Sequence, residues 1–272
     1  MSPRFPYYIS PQKFDLPRSI TAIAMSDFTE ANRKYFDNLA ATYKGRFADA
    51  SRMLASQTVQ HRDWISERWT DTEAGKNKEV KMLEYACGPG VVSMSLAPFV
   101  TQIVGIDVSD NMITEFNQNA SSLGLANKAV GYRADLLAEN APTQEIESAC
   151  ANLDMVTVSM ALHHFEHPDT ALKRLAERLN KGGVCYIIDL VAHTDAHGHD
   201  HEHKKHKKHK HDFAQAAHTI KTHGFSCEDM QGLFEGAGLT GYKYEVLPEP
   251  LTFNMEERSF SKTVFVARAQ RA

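Results

Sequence analysis

The sequence has few cysteines and no long apolar run. Its 272 residues contain four widely spaced cysteines, Cys87, Cys150, Cys185 and Cys227. This spacing argues against a disulfide framework and predicts reduced thiols in a cytosolic protein. No apolar run approaches the ~20 residues that span a bilayer, so we expect no membrane-spanning helix.

The chain also lacks an excess of either charge. It has 30 Lys and Arg against 34 Asp and Glu, a net charge of −4. This balance does not favour general nucleic-acid binding or attachment to an anionic membrane. Residues 1–19 have no apolar core of signal-peptide length, so we expect a cytoplasmic location.

Apolar residues make up 42% of the chain, which suffices for one sizeable core. We therefore predict a single domain over residues 1–272. Residues 1–75 would form an arm and a helical cap, residues 80–192 and 213–268 the core, and residues 193–212 an insertion.

The N-terminal region has helical periodicity. Apolar and aromatic residues recur every three or four positions over residues 28–43, with Ser26 or Asp27 as a cap, which predicts a helix. Further helices are predicted over residues 48–54 and 63–69. The four prolines before residue 26 indicate an irregular arm.

From residue 80 the chain alternates strands and helices. Pro168 suits the start of a helix that would end at Gly182, and Ser226 with Asp229 predicts a capping box. The alternation predicts a Rossmann-like, doubly wound, mostly parallel α/β sheet. Its strands are predicted over residues 80–84, 102–106, 130–134, 153–159, 184–188, 242–247 and 263–267.

The segment VKMLEYACGPG, residues 80–90, predicts a strand that ends in an acid and turns tightly into a helix. Ala86, Gly88 and Gly90 keep side chains off the turn, so a ligand can lie against bare backbone. A dinucleotide site would need G-x-G-x-x-G. Counted from Gly88, the third glycine position is Ser93, and this missing glycine disfavours a dehydrogenase.

The spacing E-x-A-x-G-x-G resembles the first motif of class I S-adenosylmethionine (SAM) methyltransferases. FTEANRKYFDNLAATY, SMALHHF and HGFSCEDMQGLFEGAGL extend the likeness to the ubiquinone and menaquinone biosynthesis methyltransferases, over residues 28–268 without the insertion. Within that group the chain is similar to fungal S-methyltransferases that methylate both thiols of gliotoxin-type dithiols. The resemblance implies seven strands with an antiparallel C-terminal edge, SAM as cofactor and S-adenosylhomocysteine as product.

Acids end successive predicted strands. Asp107 ends the second, where one carboxylate can accept hydrogen bonds from both ribose hydroxyls. A helix-capping acid is the alternative. The resemblance implies that Asp135 binds the adenine amino group beside the backbone of Leu136, and that Glu84 faces the ammonium of the methionine moiety. The alternative for Asp135 is an ordinary loop aspartate. The alternative for Glu84 is an acid at a strand end that holds backbone amides.

The resemblance also implies that Tyr43 covers the methionine end, although a core aromatic residue is the other interpretation, and that residues after the fourth strand back the cofactor. The predicted cofactor-binding residues are Tyr43, Glu84, Ala86, Cys87, Gly88, Gly90, Asp107, Val108, Met112, Asp135, Leu136, Ser159 and Met160.

The methyl acceptor is expected to be a small molecule, with catalysis mainly by positioning. A thiol with a pKa of ~8.5 needs little help from a base, whereas a phenol needs more. His164 or Asp189 is the candidate proton acceptor, and a structural hydrogen bond is the alternative for each histidine. The candidate acceptor-site residues are His163, His218, Thr219 and His223.

Residues 193–212 hold eight of the fourteen histidines together with many lysines, and we expect a mobile insertion. His197, His199, His201 and His203 could bind zinc or nickel adventitiously, but no structural or catalytic metal is predicted. Two other functions stay open. One is O- or C-methylation of a quinone or phenol, and the other is non-catalytic SAM or metal binding.

Overall fold

The computed structural model of the chain describes residues 26–192, 216–255 and 258–272. Within these ranges the helices are α1 (Asp27–Arg46), α2 (Ala48–Gln60), α3 (Arg62–Ile65), α4 (Val91–Leu96), α5 (Asp110–Ser122), α6 (Gln144–Ala149), α7 (Pro168–Ala176) and α8 (Cys227–Gly236). The strands are β1 (Lys81–Tyr85), β2 (Gln102–Asp107), β3 (Ala129–Arg133), β4 (Leu153–Ser159), β5 (Leu179–Leu190), β6 (Leu239–Val246), β7 (Leu251–Met255), β8 (Arg258–Lys262) and β9 (Val264–Arg271).

Seven of these strands form one sheet in the order β3-β2-β1-β4-β5-β9-β6. The first five pair in parallel, and β9 runs antiparallel to both β5 and β6. The predicted doubly wound sheet with an antiparallel C-terminal edge is therefore confirmed. The strand order reverses between β1 and β4, which is where open α/β sheets form a crevice at the carboxyl ends of their strands.

Apolar side chains cover both faces of the sheet. On one face, Leu172 of α7 and Phe234 of α8 pack in a cluster with Val156 and Ile187. On the other, helices α2, α4 and α5 contribute Leu54, Val92 and Phe116 to a second cluster. Strands that are buried on both faces explain the continuous apolar runs of the sequence.

Two predicted helix ends were wrong. The helix predicted over residues 63–69 ends at Ile65. Trp69 lies beyond it, where its indole N–H donates to the carbonyl of Ser66 at 2.7 Å. The helix that begins at Pro168 ends at Ala176, and Gly182 lies within β5 at φ +75°.

Helix α6 and the hairpin of β7 and β8 were not predicted from the sequence. This hairpin pairs separately from the main sheet and packs against α2. Phe253 of β7 contacts Phe47, which lies between α1 and α2, edge to face at a centroid distance of 5.9 Å. The hairpin of β7 and β8 thus packs against the N-terminal helices and supports them.

Helix α1 lies across the carboxyl ends of the parallel strands. Ser26 caps it by accepting the amide of Thr29 at 3.2 Å, and the Ser26 hydroxyl donates to Glu166 at 2.8 Å. The predicted arm before Ser26 and the predicted insertion, with His197, His199, His201 and His203, lie outside the described residues. Among the helices described, none has the length and apolar character needed to cross a bilayer.

Candidate functional site

A cavity of about 630 Å³ lies between α1 and the carboxyl ends of β1, β2 and β4. This volume is within the ~300–1,000 Å³ typical of small-molecule sites. Twelve predicted site residues line it: Tyr43, Glu84, Ala86, Cys87, Gly88, Asp107, Val108, Met112, Asp135, Ser159, Met160 and His164. The sheet therefore brings most of the predicted set together around one space.

The turn after β1 has left-handed backbone at three positions, with φ of +54° at Ala86, +49° at Gly88 and +83° at Gly90. A Cβ atom on Gly88 would meet only the sulfur of Met112, at 4.0 Å, so this glycine keeps space open beside the cavity. A Cβ atom on Gly90 would lie 2.7 Å from the ring of Phe116. Gly90 is thus required for core packing and lies outside the cavity lining.

Glu84, the residue before the last in β1, is a nearly fully buried acid. One of its carboxylate oxygens accepts the backbone amide of Ser93 in α4 at 2.9 Å. Burial raises the pKa of Glu84 from 4.5 to about 7, against the opposing effect of this hydrogen bond. Glu84 therefore holds a backbone amide, as its alternative interpretation predicts, and it also lines the cavity.

Asp107, at the end of β2, accepts two backbone amides. Gly88 donates to one oxygen at 2.9 Å and Ser109 donates to the other at 2.9 Å. Burial raises the pKa of Asp107 to about 6, while both amides act in the opposite direction. The acid thus joins the glycine turn to the start of α5 and presents charge to the cavity.

Asp135 follows β3 and lines the same cavity. One oxygen, Oδ1, accepts the hydroxyl of Tyr85 at 3.0 Å and the amide of Leu137 at 2.8 Å. Leu136, whose backbone was predicted to contact the ligand, has its side chain buried in the core, and its neighbours Leu137 and Ala138 line the cavity. The reason is that the chain turns immediately after Asp135, which points Leu136 inward.

Tyr43 and Cys87 stay uncharged at neutral pH. Burial raises the pKa of the Tyr43 hydroxyl to about 12, and the charges of Glu84 and Asp107 act in the same direction. Burial also raises the pKa of the Cys87 thiol well above its usual range, so it has little thiolate character. Met160, which also lines the cavity, has an unusual φ of +53°.

His164 lines the cavity near α1. Its Nδ1 lies 2.7 Å from the carbonyl oxygen of Thr219, and its ring contacts Phe36 edge to face at 5.2 Å. A carbonyl only accepts, so Nδ1 carries the proton and Nε2 keeps a free lone pair. Burial lowers the pKa of His164 to about 3, with a further contribution from His163. The side chain is therefore a neutral hydrogen-bond acceptor.

Asp189 is fully buried at the end of β5 and lies outside the cavity lining. Its Oδ1 is 2.6 Å from Nδ1 of His163, and its Oδ2 accepts the His163 amide at 3.1 Å. The ring of His163 lies 4.1 Å from that of His164. In this geometry Asp189 orients the histidine pair and does not reach a ligand directly.

All four candidate acceptor-site residues lie outside the cavity lining, and the side chain of His163 is buried against Asp189. His218 contacts Tyr35 on the outer surface, the side chain of Thr219 is buried, and His223 is exposed. The 3₁₀ turn Ala217–Thr219 presents a backbone carbonyl to His164 and no side chain to the cavity. The expectation that these three side chains roof the acceptor pocket was therefore wrong.

Several cavity residues were not predicted from the sequence. They come from the cap and body of α1, the end of β1, the loops after β3 and β4, and α7, where a residue's direction depends on tertiary packing. The main ones are Ser26, Asn32, Phe36, Tyr85, Leu137, Phe165, Glu166 and Thr170. Phe36 belongs to the periodic stripe of α1, and that stripe was the available signal.

Comparison with known proteins gives a consistent family. The family described as "Methyltransferase domain" matches residues 53–244. An uncharacterized methyltransferase of Schizosaccharomyces pombe is 30% identical over 126 residues, which cover 46% of this chain and 44% of that protein. The ubiquinone biosynthesis O-methyltransferase of Acinetobacter baylyi is 23% identical over 61% of this chain and 71% of its own length. This chain thus spans less than half of the yeast relative.

Solved structures show the same fold. A SAM-dependent methyltransferase from Thermotoga maritima, described as a possible histamine N-methyltransferase, aligns with a TM-score of 0.57 and 14% identity over 88% of this chain and 99% of its own. Magnesium protoporphyrin IX methyltransferase from Synechocystis, crystallised with bound SAM, aligns with a TM-score of 0.56 and 15% identity over 92% of this chain and 99% of its own.

Proposed function

The chain belongs to the methyltransferase-domain family, whose match covers residues 53–244, and on that premise we propose that it transfers a methyl group from SAM to a small molecule. One observation carries the proposal. Glu84, Asp107 and Asp135 lie at the carboxyl ends of three adjacent parallel strands, and all three line one cavity beside a glycine turn. A ligand with an ammonium, a ribose and an amino-purine matches this set of acceptors.

The residues present fit SAM. Gly88 leaves room for a chain against the backbone, since a Cβ atom there would have a single neighbour at 4.0 Å. Asp107 would accept the ribose hydroxyls, Glu84 would face the ammonium, and Asp135 would accept the adenine amine. Cys87, Val108, Met112, Ser159 and Met160 would supply contact surface.

Bound SAM supplies a methyl group that its sulfonium already activates, so the protein's task is alignment and exclusion of water. Helix α1 lines the cavity with Phe36 and Tyr43, and Met160 after β4 also lines it. Alignment of this kind can lower the activation free energy by several kcal/mol, and by about 7–11 kcal/mol at best. We also propose that the chain works as one domain, with α1 and α2 as the cap of the core.

For the acceptor we propose a thiol, as in dithiol metabolites of the gliotoxin type. His164 supports this choice. Its neutral Nε2 accepts a hydrogen bond, but a pKa of about 3 makes it a weak base. Such a group orients a thiol of pKa ~8.5 adequately and is poorly matched to a phenol of pKa ~10.

The second candidate is O-methylation of a quinone or phenol, which the name of the Acinetobacter baylyi relative favours. Purified protein incubated with methyl-labelled SAM and matched panels of dithiols and phenols tests both. We expect label on sulfur. Label on phenolic oxygen would support the second candidate. SAM binding without transfer to either panel, measured by titration calorimetry, would indicate a non-catalytic binder.

A further inference from the structure

Tyr85 is a buried tyrosine beside the proposed adenine site. It is the last residue of β1, it is 4% exposed, and its ring packs edge to face on Phe165 at 5.5 Å. Its hydroxyl donates to Oδ1 of Asp135 at 3.0 Å. Burial and the charge of Asp135 raise the pKa of Tyr85 well above its usual range, so the phenol stays a neutral donor.

Both hydrogen bonds to Asp135 end on the same oxygen. Oδ1 accepts Tyr85 and the amide of Leu137, at 3.0 and 2.8 Å. This leaves Oδ2 as the oxygen for a ligand in the cavity that Asp135 lines. Two donors on one oxygen fix the rotation of the carboxylate group.

The loop that carries Asp135 is also held from the far side. Arg174 of α7 donates to the carbonyl of Ala138 at 2.8 Å and to that of Leu136 at 3.4 Å. The carboxylate can therefore reorient mainly by turning about its own side-chain bonds. The Tyr85 hydroxyl opposes that rotation.

We propose that Tyr85 is a positioning residue that makes the cavity select a 6-aminopurine over a 6-oxopurine, an inference that rests on the proposed SAM site. Oδ2 accepts a hydrogen bond from an exocyclic amine, whereas the carbonyl oxygen of a 6-oxopurine in the same place would repel Oδ2. Without the Tyr85 donor the carboxylate turns more easily about its side-chain bonds, and Oδ2 is no longer held toward the 6-substituent. Loss of the hydroxyl should therefore reduce the preference for the 6-aminopurine while the protein still folds.

The test measures binding, by titration calorimetry, of S-adenosylhomocysteine and of S-inosylhomocysteine, which differ in the 6-amino and 6-oxo groups. Wild type should prefer the adenosine ligand. Tyr85→Phe should weaken it about tenfold, the size expected for one hydrogen bond to a charged group, and leave the inosine ligand unchanged or tighter. Tyr186→Phe is the control, because Tyr186 is equally buried and lies outside the cavity.

If Tyr85→Phe bound both ligands more weakly by the same factor, Tyr85 would have only a structural role and the inference would be overturned. A preference for the adenosine ligand equal to that of wild type would overturn it as well. Thermal unfolding of each variant, without ligand, separates these outcomes from misfolding. Wild-type protein that binds neither ligand would instead refute the SAM site itself. Equal affinity of wild type for both ligands would refute the selection of the 6-aminopurine, and the proposal of a SAM site would be unaffected.

Discussion

Asp37 in α1 accepts a hydrogen bond of 2.6 Å from the hydroxyl of Ser109, the residue that caps α5. The same Asp37 oxygen accepts the amide of Asn111 at 3.2 Å. Ser109 in turn donates its amide to Asp107 at 2.9 Å. The covering helix is therefore attached to the loop that holds the proposed ribose acid.

Asp37→Ala should weaken binding of S-adenosylhomocysteine about tenfold, because it releases α1 from this loop at a cost of ~1–2 kcal/mol. Calorimetric titration measures the effect. Asp63→Ala is the control, since Asp63 is an exposed acid of α3 that pairs with Arg62. Equal affinities in the two variants would show that the attachment does not matter for binding.

Two buried acids should reduce the stability of the free protein as the pH rises. Burial raises the pKa of Glu84 from 4.5 to about 7 and that of Asp107 from 3.8 to about 6. Between the unfolded and folded values each acid binds more protons in the native state, so its contribution to stability is lost as the pH rises, whereas His164, with a pKa lowered from 6.5 to about 3, acts in the opposite direction. Denaturant unfolding at pH 5 and pH 7.5, compared between wild type and Glu84→Gln, measures the Glu84 contribution, which is on the order of 3 kcal/mol.

Affinity for SAM, a cation, should change in the opposite direction, rising over the same interval as the carboxylates ionise. Glu84→Gln should flatten both dependences, raise stability at pH 7.5 and weaken binding. A variant with the wild-type slope in both measurements would exclude Glu84 as the titrating group.

Gly88→Ala should weaken SAM binding by tenfold or more, because the added methyl occupies the surface on which the ligand is proposed to lie. Gly124→Ala is a matched control. Gly124 also has a positive φ, +71° against +49°, and a Cβ atom there meets nothing within 4 Å. Both variants should lose ~1–2 kcal/mol of stability from left-handed strain. Only Gly88→Ala should lose affinity.

Asp189→Asn should act mainly on stability. The buried carboxylate accepts the amides of His163 and Leu190 and contacts Nδ1 of His163. An amide cannot reproduce all of these bonds, so the free energy of unfolding should fall by ~2–3 kcal/mol. A reduced kcat with an unchanged melting temperature would instead support the catalytic role predicted from the sequence. Glu235→Gln on the exposed face of α8 is the control.

The sheet and its acids were predictable because apolar runs that end in Glu84, Asp107 and Asp135 mark the carboxyl ends of parallel strands. The role of Tyr85 was not predictable, because its partner Asp135 lies fifty positions away in the sequence. The contact between them exists only once β1 and β3 are in one sheet. Asp189 has the same pattern as the other acids. Its different environment follows from the packing of His163, which local sequence does not encode.

The contact between Phe47 and Phe253 has a consequence for synthesis. The ribosome releases β1 to β5 well before β7, so the nascent protein can pair its parallel strands while the partner of Phe47 is still unmade. The cover of the cavity is then completed among the last events, and until Phe253 emerges the glycine turn and its acids lie beneath a helix that lacks its C-terminal support.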